Sequence, residues 1–85
     1  MEIHRSARRH DVADATIHHV VGHAIVVVDV DERHDPPKLL VIGPDAAGNL
    51  LEVIVLELAD DRLLAIHAMP LRRNFYELLP GADHD

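Results

Sequence analysis

The sequence predicts an α+β fold: N-terminal helices, a four-stranded antiparallel β-meander and a C-terminal helix. Three observations lead there. Apolar residues recur at helical spacing in a proline-free first quarter, four β-branched or leucine-rich runs follow with only short turn-forming segments between them, and Pro70 stands ahead of a final helical stretch. With 85 residues, the chain has room for one domain, 1–85, with a frayed tail expected over about 81–85.

From Arg5 to Gly22, Val12, Ala13, Thr16, Ile17, Val20 and Val21 lie three and four apart, so one face of a helix is apolar. His10-Asp11 divides this stretch into a short helix and a longer one, and Gly22 ends it. Ala24 to Val30 is β-branched and reads as a strand, closed by the charged run Asp31 to Asp35 and by Pro36-Pro37. Lys38 to Gly43 is a second strand. Pro44 to Asn49 is a run of turn formers, so this strand and Leu50 to Leu58 make a hairpin. Asp60-Asp61 supplies the next turn, and Leu63 to Ala68 is the fourth strand. Pro70 is suited to the first position of a helix with its body over Leu71 to Leu79, stopped by Pro80-Gly81. Connections this short pair neighbouring strands antiparallel, and the helices are expected to cover one face of the meander.

Composition narrows the function classes. The absence of cysteine excludes a disulfide scaffold, a zinc ribbon and a thiol nucleophile. A net charge of −7 disfavours non-specific nucleic-acid binding, DNA included, and attachment to an anionic membrane. The longest apolar run, Ala24 to Val28, is too short to cross a bilayer, and the start carries no signal-peptide core, so the expected location is cytoplasmic. Gly43 and Gly48 imitate the glycine spacing of a phosphate-binding loop, but Asn49-Leu50 stand where lysine and a hydroxyl residue are needed. Neither Ser6 nor Thr16 sits on a strand-to-helix elbow, which argues against an acyl-enzyme hydrolase. Among the eight histidines, His19 and His23 have legal spacing for two metal ligands, yet Val20 follows His19 where a zincin needs glutamate and no third ligand is specified. No metal or cofactor is therefore expected.

The informative polar residues lie at the two ends. His4, Arg5, Arg8, Arg9 and His10 crowd the first helix, while His67 ends the last strand and Arg72, Arg73 and Tyr76 open the final helix. Arg72 and Tyr76, four apart, would share a helical face. If the terminal helices meet, an acidic body carries one basic cleft, able to hold a phosphodiester between arginines while histidine or tyrosine exchanges protons with it. Set against this, charged residues on terminal helices are most often solvated faces, and Tyr76 could equally be packing.

His4 to Val12 leading into Ala13 to Ile17, the hairpin Gly43 to Asn49, and the ending Ile66 to Arg73 followed by Tyr76 resemble small BrnT-like toxins and their DUF4258-type relatives. The resemblance spans nearly the whole chain. It implies a RelE-like fold and the toxin component of a type II toxin–antitoxin pair, acting as a metal-independent endoribonuclease on messenger RNA. It also implies a cognate antitoxin as protein partner. Carried over residue by residue, it makes His67, Arg72, Tyr76 and His10 the catalytic candidates and His4, Arg8 and Arg73 the substrate-binding ones, with Asp11 where the group commonly has glycine. With Phe75 and Tyr76 the only large aromatics, base stacking is scarce, so RNA would be read through its backbone or presented by the ribosome. The competing expectation is a non-catalytic interaction domain, an inactive toxin relative working through a homodimer or a captured partner.

Overall fold

The computed structural model describes residues 1–81; the expected frayed tail, Gly81 aside, lies outside the described residues. The fold is α+β, but its sheet has five strands and is mixed, and it carries less helix than expected. Strand β1 (Glu2–Ile3) is followed by a 3₁₀ helix, η1 (Arg5–Arg8), and by the α-helix α1 (Asp14–Gly22). Then come β2 (Val26–Asp29), β3 (Lys38–Pro44), β4 (Leu50–Glu57) and β5 (Leu63–Pro70), and a second 3₁₀ helix, η2 (Arg73–Leu78), closes the order. The radius of gyration, 12.6 Å, is close to the ~12 Å of a single compact domain of this length. Among the described residues, no helix is long and apolar enough to cross a membrane.

Strands β2 to β5 form the expected antiparallel meander, and β1 adds to it in parallel beside β5, giving the order β1-β5-β4-β3-β2. The four-strand expectation is thus corrected by one strand. Two residues are too few for alternation to register, and what fixes β1 is long-range: the Arg62 guanidinium donates to both Glu2 oxygens at 2.8 and 2.9 Å, and the His4 N–H donates to the Ala65 carbonyl at 2.8 Å.

The helices are corrected too. Only Asp14–Gly22 is α-helical at the N-terminal end, and the chain turns beforehand through Asp11, whose φ of 60° breaks the run. At the other end Pro70 finishes β5 instead of starting a helix. The Leu71 N–H continues the hairpin ladder to the Leu50 carbonyl at 3.0 Å, and the Arg72 N–H is taken by a carboxylate on β4. These bonds keep the chain on the sheet through Arg72, whose ψ is 150°, so helical backbone starts only at Arg73 and runs for six residues as a 3₁₀ segment.

One sheet face carries the main core. Val41 from β3, Leu51, Val53 and Val55 from β4, and Ala65 and Ala68 from β5 pack with Ile17 and Val20 of α1 and Ala7 of η1. Helix α1 approaches β3 so closely that its end lies against backbone at Gly43. On the opposite face Leu40 and Ile42 are fully buried, and Phe75 and Leu78 of η2 line a groove with Val28, Leu40 and Ile54. Ladder register assigns Glu52 and His67 to this second face, because Glu52 pairs with Ile42 and Met69, and His67 with Ile54.

A β-bulge makes that placement. Val55 pairs with Ala65 while the neighbouring Ile54 pairs with His67, so Ile66 is an extra residue in β5. By plain alternation Ala65 and His67 would share a face; the inserted Ile66 turns His67 onto the other one.

Candidate functional site

Glu52 is the single buried charged side chain among the described residues, with no exposed surface. It sits mid-ladder on β4, where a charge is costly unless its oxygens are fully engaged. They are. His67 Nε2 lies 2.9 Å from Oε2. From the chain leaving β5, Arg72 donates its backbone N–H to Oε1 at 2.9 Å, Nε to both oxygens at 3.1 and 3.2 Å, and Nη2 to Oε2 at 2.8 Å. Burial pushes the Glu52 carboxyl up, but the Arg72 guanidinium, the Arg72 N–H and the His67 ring outweigh it and hold the group below its usual range. Reciprocally, the hydrogen bond to Glu52 raises Arg72 further above its already high value.

An ionised carboxylate can only accept, so the His67 hydrogen bond requires the proton on Nε2 and leaves Nδ1 for another partner. The His67 side chain is 22% exposed, and the His10 ring stands edge-on to it at 5.7 Å between centroids. Arg72 passes over the Phe75 ring at 5.4 Å. Its Nη1 forms no hydrogen bond among the described residues, and nearly half of its side chain is exposed. The cluster therefore offers an imidazole with one nitrogen committed, a second imidazole beside it and a fixed guanidinium on the rim. Such a set can exchange protons and steady an anion.

Of the residues singled out in the sequence, His67, Arg72 and His10 thus come together, around a carboxylate that sequence reasoning missed. The others lie elsewhere. His4 caps η1, its Nδ1 accepting from the Ser6 N–H at 3.1 Å, and Ser6 Oγ donates to the Ile66 carbonyl at 2.7 Å, tying η1 to the bulged residue. Arg8 is engaged with Asp14 through Nε at 2.9 Å and Nη2 at 2.8 Å, a pair exposed on both sides. Arg73 is exposed at the start of η2 and forms no ion pair among the described residues. Tyr76 is 49% exposed and lines a separate groove with Asn49, Leu50, Leu71 and Leu79. In a 3₁₀ segment side chains eclipse every third residue, so Phe75 and not Tyr76 falls beneath Arg72.

Cationic charge is consequently less available than the sequence suggested, because Arg8, Arg62 and Arg72 each hold a carboxylate. The histidines of α1 form a different arrangement: His19 and His23 stack at 4.0 Å, and His23 Nδ1 donates to the His19 carbonyl at 2.8 Å, closing the helix end. Among the described residues, no three His, Asp or Glu side chains converge as a metal site would need. Comparison with protein-family models, with curated proteins and with solved structures finds no match to this chain.

Proposed function

We propose that this chain is a BrnT-like, RelE-fold toxin of a type II toxin–antitoxin pair, a cytoplasmic, metal-independent endoribonuclease acting on messenger RNA. The observation that carries the reading is His67 held through Nε2 by buried Glu52, with the His10 ring 5.7 Å away and Arg72 on the rim. Ribonucleolysis without metal needs two proton transfers. One group removes the 2′-hydroxyl proton as that oxygen attacks phosphorus, and another protonates the 5′-oxygen as its bond to phosphorus breaks. Two neighbouring imidazoles can supply both, and the outward guanidinium edge of Arg72 suits the charge developing on the phosphoryl oxygens. The φ of 60° at Asp11, where the resembling group commonly has glycine, fits the same reading, since this backbone conformation favours glycine. The antitoxin would hold the toxin inactive, and with Phe75 and Tyr76 the only large aromatics, RNA would be read through its backbone or presented by the ribosome.

The test is induction of the chain alone in a bacterial host, with RNA 5′ ends sequenced soon afterwards beside a His67→Ala/Arg72→Ala variant. Growth arrest with new discrete ends, both lost in the variant, is the expected result. Unchanged RNA and normal growth would overturn the assignment.

A second reading, a non-catalytic interaction domain, is favoured by the free edge of the sheet. Among the described residues strand β2 has no partner beyond it; Val27 within it is 56% exposed and Ile25 just before it 48%. Neither lysine nor proline protects this stretch from pairing with an added strand. Salt-dependent RNA binding separates the two readings, being expected for the ribonuclease and absent for the interaction domain.

A further inference from the structure

We infer that Glu52 is the positioning residue of His67: it fixes the ring with its proton on Nε2 and turns Nδ1 outward as the atom that accepts a proton. The catalytic consequence rests on the ribonuclease reading above, but the placement itself does not. Glu52 has no exposed surface, and its carboxylate accepts from His67 Nε2 at 2.9 Å and from the backbone and guanidinium of Arg72. Arg72 balances the Glu52 charge, so the carboxylate stays ionised and remains an acceptor. When Nδ1 takes a proton, the new imidazolium already faces a carboxylate, and the site needs no rearrangement to stabilise it.

A carboxylate that only anchors η2 would explain the Arg72 contacts and nothing more. It would not explain the β5 bulge. The extra residue Ile66 breaks the ladder between Ile54 and Val55, and its effect is to turn His67 from the core face onto the face of Glu52. Anchoring Arg72 requires no such turn. The bulge is itself fixed, since the Ile66 carbonyl accepts from Ser6 Oγ of η1 at 2.7 Å. The same η1 segment leads into His10, whose ring stands edge-on to His67 at 5.7 Å.

The decisive measurement is the ring ¹H–¹⁵N correlation spectrum of the full chain, wild type beside Glu52→Gln and Arg72→Gln. Glu52→Gln keeps the side chain's shape and removes its charge. In the wild type, neutral His67 should show a protonated Nε2 with a slowly exchanging proton and a bare Nδ1. That proton should exchange faster in Glu52→Gln, because a neutral amide oxygen accepts more weakly than a carboxylate, and Arg72→Gln should weaken it too, since it removes the charge that keeps Glu52 an ionised acceptor. A wild-type ring protonated on Nδ1 would overturn the inference, as would a His67 signal unchanged in Glu52→Gln. If Glu52→Gln does not fold, the wild-type ring alone decides. In RNA cleavage, Glu52→Gln should lower kcat by on the order of 10²–10⁴-fold with little change in KM. A wild type that cleaves no RNA would sink the ribonuclease reading, while the ring spectrum would still decide the role of Glu52.

Discussion

Replacing Gly43 by alanine tests how tightly the helix is seated on the sheet that carries the site. A Cβ there would lie 2.6 Å from the Val20 carbonyl oxygen, 3.2 Å from the His23 carbonyl oxygen and 3.3 Å from the Ala24 Cα. All three are backbone atoms at the end of α1, so no side chain can rotate away. Relief requires the helix end to retreat by roughly 0.7 Å, and a gap of ~0.5–1 Å forfeits about a quarter to a half of the dispersion energy across it. Ile17 and Val20, both fully buried, lie on the retreating face. Burying such a side chain is worth about 1.5–3 kcal/mol, so losing that share of two gives a cost of about 1–3 kcal/mol. A chain of this size has about 4–13 kcal/mol in total. At ~4–8 °C per kcal/mol, a 2 kcal/mol loss lowers Tm by roughly 8–16 °C. Urea and thermal unfolding followed by circular dichroism measure it, with Gly22→Ala as control. Gly22 ends the same helix, but a methyl group added to it would have nothing within 4 Å, so alanine there should be neutral or stabilising by up to about 1 kcal/mol. Equal effects at the two glycines, or a Gly43→Ala loss under about 0.5 kcal/mol, would refute the close-seating argument.

Three further outcomes follow from the geometry. The Glu52 carboxyl is held below its ordinary value of 4.5 in the folded chain; its stabilising contribution is therefore complete above the unfolded value and is lost as pH falls through the lowered folded one. Urea midpoints measured from neutral pH down to about pH 3 should drop steeply at the acid end in the wild type and less steeply in Glu52→Gln; parallel curves would contradict this. His10→Ala should cut RNA cleavage by on the order of 10²–10⁴-fold while leaving the urea midpoint near wild type, since His10 is exposed; undiminished cleavage would remove His10 from the site. Val27→Lys places a charge on the open β2 edge, where Val27 is 56% exposed; it should abolish any concentration-dependent association seen by sedimentation velocity and change stability by no more than about 0.5 kcal/mol. Identical sedimentation of wild type and variant over a range in which the wild type associates would place the contact elsewhere.

The meander was legible because its signals are local. The runs Lys38 to Gly43, Leu50 to Leu58 and Leu63 to Ala68 each agree with a strand to within a few residues, and the turn formers between them fall at the observed turns. In the β3–β4 turn, Asp45 Oδ1 accepts from the N–H groups of Ala47 and Asn49, while Gly48 takes a φ of 88°. What escaped was decided by partners far along the chain. Strand β1 exists through Arg62 and Ala65, and the final helical segment starts late because Leu50 and Glu52 hold the chain on the sheet through Leu71 and extended Arg72. Propensity reads a segment by itself, and these segments are settled by what they meet.

The site shows the same division more sharply. His67, Arg72 and His10 were visible as residue types gathered near the chain ends, but nothing in their spacing reveals that one carboxylate joins two of them. Glu52 looked like an interruption in an apolar strand. The available signal was that very interruption: a lone glutamate flanked by Leu50, Leu51, Val53 and Ile54 is either solvent-facing or buried with cationic partners. Choosing between these needs the register, and alternation gives the face of His67 correctly from Ala68 but not from Ala65, on the far side of the bulge. From Ala65, alternation sends His67 toward the core face, while the Ile66 bulge sends it to Glu52. One inserted residue therefore separates a strand histidine packed among alanines and valines from a carboxylate-held imidazole beside a second ring, and its position depends on Ser6, sixty residues earlier in the chain.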